Sequence, residues 1–109
     1  NLEALITPSL NIGVPGGREI LIFAEALIGS DRGALDKARI DLAETLGPAS
    51  VSAASAIAAN FTKNDRIANG CGIPTEPKML KATHDIRASL GLNEFRSAEN
   101  TFKHFPEAR

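Results

Sequence analysis

Residues 48–74, PASVSAASAIAANFTKNDRIANGCGIP, carry the reading that decides the fold. No Gly or Pro interrupts 49–69, and both ends carry helix punctuation. Pro48 suits a first helical turn, where its missing N–H costs nothing. Gly70, Gly72 and Pro74 oppose continuation past the other end. Between them Ala53, Ala54, Ala56, Ala58 and Ala59 are strong helix formers whose short side chains let another helix approach closely. Ile57 and Phe61 stand four apart and so share a face, with Val51, Ala54, Ala58 and Ala68 near it. The expectation is a central helix around which the rest of the chain is organised.

Working outward toward the C-terminus, Thr75 is placed to cap the next helix and Pro77 fits its first turn. Met79, Leu80, Thr83, Ile86, Arg87 and Leu90 then predict one continuous helix ending at Gly91. Residues 92–109 form a short mixed tail. Its Leu92, Phe95, Phe102 and Phe105 could fasten it to its own bundle or to a partner subunit. Toward the N-terminus, Leu35, Ala38, Leu42 and Leu46 make a narrow apolar stripe on a helix over 34–46. Asp36, Lys37, Arg39, Asp41 and Glu44 cover the rest of it, and Lys37 and Asp41 are spaced for an i,i+4 pair. Ser30 or Asp31 can cap this helix, Gly47 ends it, and the short connection onward predicts an antiparallel pair. Ile20, Phe23, Ala24, Leu27 and Ile28 mark a helix over 18–28, closed by Gly29. Residues 1–17, with Pro8, Gly13, Pro15, Gly16 and Gly17, read as an irregular lead-in. No strand pattern survives. The fold class is all-α, a four-helix bundle in one domain spanning 1–109.

Composition bounds the function. A chain of 109 residues fits one domain, and a net charge of −1 gives no electrostatic footprint for nucleic acid or an anionic membrane. No apolar run approaches the roughly 20 residues of a membrane helix. Cys71 is the only cysteine, which excludes an internal disulfide or a CxxC site and points to a reducing, cytoplasmic setting. The chain opens on Asn1 rather than Met, which is compatible with a piece of a longer protein.

The chemistry is sparse. Cys71 falls near the C-terminal, negative end of the central helix, where a thiolate is disfavoured, and reads as an inert, semi-buried residue. His84 and His104 stand at no paired ligand spacing, so neither a metal nor any other cofactor is expected. GVPGG at 13–17 lacks the spacing of a phosphate-binding loop and reads as a turn launching a helix. Asn60, Asn64, Asp65 and Arg66 interrupt an Ala-rich helix that otherwise asks to be buried. They form either the polar wall of a pocket, with His84 as acid or base, or a network that fixes helix register, or a solvated helix end. The partners expected are further copies of the chain in a homo-oligomer and a small-molecule substrate at that pocket.

Two blocks carry a family resemblance. REILIFAEALIGSDRGALDKARIDLAETLG, residues 18–47, resembles the second half of carboxymuconolactone decarboxylase-like and alkylhydroperoxidase D-like proteins. ASAIAANFTKNDRIANGCGIPTE, residues 54–76, is similar to their closing helix. On that match Phe61 takes the place of the family aromatic and Arg66 that of the arginine in an "NR" pair. Asp65 stands where the asparagine of that pair often does, and Cys71 falls at an ordinary apolar position. The resemblance implies an all-α, oligomeric protein whose family chemistry is thiol-dependent peroxide reduction, an antioxidant activity, or decarboxylation. The redox members carry a CxxCxxxH helix upstream of the matched part, and this chain has no CxxC. Two functions follow as expectations: the oligomer-forming part of such a protein, or a non-catalytic helical interaction and assembly module.

Overall fold

The computed structural model describes residues 1–109, and its secondary structure is all helical: six α-helices, short 3-10 turns and no strand. The chain divides into two compact units, Asn1–Thr62 and Lys63–Arg109, with the division falling inside the third helix.

The first unit holds α1 (Gly17–Ile28), α2 (Arg32–Leu46) and residues 49–62 of α3 (Ala49–Cys71). Its core is Phe23 of α1 with Ala38 and Leu42 of α2, and Ala26, Leu27, Leu35, Val51 and Ala54 pack around them. Burying Phe23 and Leu42 each contributes about 1.5–3 kcal/mol. Leu35, Ala38 and Leu42 of the apolar stripe on α2 therefore face the core, while Leu46 at its end is exposed, and the other faces carry the solvent-facing ion pairs Arg32–Asp36, Arg39–Asp36 and Lys37–Asp41. Asp31 caps α2, its carboxylate accepting from the Ala34 N–H at 3.0 Å. Gly16, at φ +62°, is the N-cap of α1, so the GVPGG segment is the turn that launches that helix.

The lead-in is tied down. The Asn1 ammonium donates to the Ile12 carbonyl at 3.0 Å, Arg18 donates to the Pro8 carbonyl at 2.7 Å, and Ala4 is buried. Residues 2–5 form a 3-10 turn, Leu2–Leu5, capped by the Asn1 side chain.

The expectation that the chain is organised around α3 is corrected here. The core sits on α1 and α2, and no residue of α3 is buried. Val51 and Ala54 reach the core. Ile57 lies about 120° around the helix from Val51 at 100° per residue, and it is 61% exposed. Phe61, one turn further along, is 62% exposed. The face shared by Ile57 and Phe61 is a surface face.

The second unit holds residues 63–71 of α3, then α4 (Pro77–Ala82), α5 (His84–Ser89) and α6 (Glu99–Phe102), with 3-10 turns at Leu92–Glu94, Arg96–Ala98 and Pro106–Ala108. Of Gly70, Gly72 and Pro74, expected to end α3, Gly70 lies within the helix and Gly72 stops it. Gly72 takes φ +67°, its N–H bonds the Asn69 carbonyl at 3.2 Å, and the Ile73 N–H bonds the Ala68 carbonyl at 2.9 Å. These are the paired bonds of a Schellman turn, which needs a residue free of the left-handed steric penalty.

Two local expectations change. The single helix over 77–90 is broken at Thr83, whose hydroxyl bonds back to the Met79 carbonyl at 2.7 Å and whose backbone sits at φ −110°, ψ 10°. A Thr hydroxyl that competes for the carbonyl four residues back loosens a helix at that point. Thr75 does not cap α4: Glu76 is the N-cap, without a side-chain bond, and the Thr75 N–H donates to Thr101 Oγ1 at 2.9 Å. That bond and the buried Leu80, Thr101 and Phe102 fasten the tail within its own unit. Arg109 completes the fastening, over the Phe102 ring at 5.1 Å and on Glu99 at 2.7 Å.

Candidate functional site

The residues marked by sequence lie apart. Asn60 is in the first unit and exposed, while Asn64, Asp65 and Arg66 are exposed on the part of α3 in the second. Of these, Asp65 lines a cavity of about 410 Å³ in the second unit. His84 begins α5, exposed, with Nδ1 2.9 Å from the Asp85 carboxylate, and it lines a different cavity of about 530 Å³. Leu80 and Arg87 contribute to both cavities.

Arg87 is the residue that sequence reasoning passed over. Its Nη1 donates to Asn93 Oδ1 at 2.7 Å and to the Ala108 carbonyl at 3.4 Å, and its Nη2 donates to the Leu80 carbonyl at 3.1 Å. Its Nε is buried without a partner. The planar fork thus reaches three segments at once, the end of α4, the turn after α5 and the C-terminal turn, in a way an ammonium cannot. The signal was present as an Arg in register with the apolar stripe of Leu80, Thr83 and Leu90. It read as one more helical position because its acceptors, two of them backbone carbonyls, leave no trace in the sequence.

Two pairs of polar side chains in the smaller of these cavities bond to one another. Asn100 Nδ2 donates to Asn69 Oδ1 at 3.0 Å, and the Thr101 hydroxyl donates to Thr75 Oγ1 at 3.3 Å. These pairings hold the tail against the end of α3. No group of three His, Cys, Asp or Glu converges to hold a metal ion. Cys71, expected semi-buried, is exposed as the last residue of α3.

A surface remains as the feature with most to explain. Ile57, Phe61 and Ile67 all project from α3 into solvent, Ile67 at 54% exposure. Ile57 and Phe61 lie in the first unit and Ile67 in the second. No helix of the chain is long and apolar enough to cross a membrane. Comparison with protein-family models, curated proteins and solved structures returns no match for the chain.

Proposed function

We propose that this chain is a non-catalytic helical assembly module that associates with further copies of itself. One observation carries the reading. A 23-residue helix buries none of its residues while presenting Ile57, Phe61 and Ile67 to solvent. A helix this long gains most of its stability from packing an apolar face, and α3 brings Val51 and Ala54 to the core while its other large apolar side chains stay exposed, a face that association would cover. Sedimentation of the full chain from low micromolar to near-millimolar concentration tests it. Mass should rise with concentration toward a closed oligomer, and a constant monomer mass would overturn the reading.

The second reading makes the chain the oligomer-forming, four-helix part of a carboxymuconolactone decarboxylase-like or alkylhydroperoxidase D-like protein. The stop at Gly72-Ile73-Pro74, where the resemblance puts the family's helix terminator, favours it. On this reading the peroxidase or decarboxylase chemistry belongs to a thiol-bearing helix outside these residues, and the small-molecule substrate binds there. Peroxide reduction by the full-length native product, absent from this chain, would support it. An inactive full-length product would remove it.

A further inference from the structure

Gly70 has no packing reason to be where it is. It lies inside α3 with an ordinary helical backbone, and a Cβ built on it meets nothing within 4 Å. A glycine inside a helix is destabilising relative to alanine. Its neighbour is the exposed Asn69, and the two make the chain's only Asn-Gly step. Glycine in that place leaves the backbone nitrogen after the asparagine open to close approach.

The turn around this step is held by the tail. Asn100 Nδ2 donates to Asn69 Oδ1 at 3.0 Å and to the Asn69 carbonyl at 3.5 Å, and the Gly72 N–H bonds that same carbonyl at 3.2 Å. We propose that Asn69-Gly70 is a self-modification site, a deamidation step that the docked tail holds back and whose product releases the tail.

The step consumes only water. The Gly70 amide nitrogen attacks Asn69 Cγ and closes a five-membered succinimide. The Cγ–Nδ2 bond breaks, and the Gly70 proton leaves with that nitrogen as ammonia. Water then opens the ring at one of its two carbonyls, giving aspartate, or isoaspartate in which the backbone runs through the side-chain carbon. Ring closure turns Asn69 ψ away from the helical value of about −42°, which swings the Asn69 carbonyl off its two donors. The docked tail therefore opposes the step, and the rate follows the fraction of time the turn is open. Asn69 is exposed, so water replaces Asn100 as donor to Oδ1 once the tail has left. Either product brings a negative charge to the C-terminal end of α3, one turn from Asp65, where helix dipole and like charge both oppose it. Isoaspartate also lengthens the backbone by one carbon inside the turn closed by the Ile73–Ala68 bond. The turn that Asn100 grips is thereby lost, and with it one tie of the tail.

Incubating the full chain at mildly alkaline pH in reducing buffer, then digesting it with trypsin, tests this. Residues 67–78 form one tryptic peptide with Asn69 as its only amide side chain, so a mass gain of one dalton there locates the reaction. The folded parent should gain it slowly, the urea-unfolded chain faster, and Gly70→Ala should all but lose it. Asn100→Ala should raise the folded rate about 5-fold, the worth of one ordinary hydrogen bond. Limited proteolysis at residues 103–109 should cut the modified chain faster than the parent. A folded chain that never reacts while the unfolded one does overturns the site. A folded chain that reacts as fast as the unfolded one, or an Asn100→Ala rate equal to the parent's, overturns the restraint by the tail. Modification that leaves the tail as protected as before overturns its release. Acceleration in Asn100→Ala supports the proposal when amide exchange in α4 and α5 is unchanged; exchange raised throughout the second unit means general unfolding and overturns it.

Discussion

The Leu46 side chain fills the space that a side chain on Gly16 would need. A Cβ built on Gly16 meets Leu46 Cδ1 at 2.6 Å and Cγ at 2.7 Å. The same glycine holds φ +62° as it starts α1, so two independent constraints meet at one position. The end of α2 is thereby seated on the turn that launches α1, and a sequence motif resembling a phosphate loop is accounted for by packing.

Gly16→Ala should therefore destabilise the chain by about 1–2 kcal/mol from the left-handed backbone alone. The contact with Leu46 adds to this. Because Leu46 is part of the clash, combining Gly16→Ala with Leu46→Ala should cost less than the sum of the two single changes. Urea unfolding of the four proteins measures both quantities. Strict additivity would show that Leu46 moves aside freely and that only the backbone constraint matters.

The core and the surface of the first unit separate cleanly under substitution. Leu42 is fully buried beside Phe23, so Leu42→Ala should cost about 2–5 kcal/mol. Ile57→Ala, measured where the chain is monomeric, should change stability by no more than about 0.5 kcal/mol. If Ile57→Ala proves as damaging as Leu42→Ala under those conditions, α3 packs through that face within a single chain.

Removing Arg87 should loosen the C-terminal turn rather than any chemistry. Arg87→Ala takes away donors to Asn93, Leu80 and Ala108, and a cost of about 1–3 kcal/mol is expected for charged-donor bonds. Amide exchange at residues 103–109 should speed up while that of α1 and α2 does not. Arg87→Lys should recover little, because one ammonium cannot span three acceptors in the plane of a fork. Full recovery by Lys would mean that charge, not geometry, is what the site uses.

The legibility of this chain in its sequence follows the range of the interactions. Local signals transferred well: a cap at Ser30 or Asp31, which is Asp31, a stop among Gly70, Gly72 and Pro74, which falls at Gly72, and the all-helical class all depend on neighbours a few residues away. The stripe of Leu35, Ala38 and Leu42 was readable because helical periodicity maps directly onto a face. Which faces meet was not readable. Ile57 and Phe61 make as good an apolar pair as Phe23 and Leu27, and periodicity cannot say which pair finds a partner within the chain. The break at Thr83 was hidden because a back-bonding hydroxyl competes with propensity on nearly equal terms. Arg87 was hidden because two of its acceptors are carbonyls brought in from 7 and 21 residues away.

The link between Thr75 and Thr101 supplies the last test, since it holds the tail to the segment after α3 across 26 residues of sequence. Thr101 is buried, its Oγ1 accepts from the Thr75 N–H, and its hydroxyl donates in turn to Thr75 Oγ1. Thr101→Val preserves the shape but strips the acceptor from that N–H, at a cost of about 1 kcal/mol or more. Thr101→Ser keeps the hydroxyl and gives up one methyl, about 0.8 kcal/mol. The expected sign is that Val exposes the tail to limited proteolysis at residues 103–109 while Ser leaves it protected, even where the two variants melt close together. A Val variant as protected as the parent would mean that burial of Phe102 fastens the tail by itself, with the hydrogen bond as a passenger.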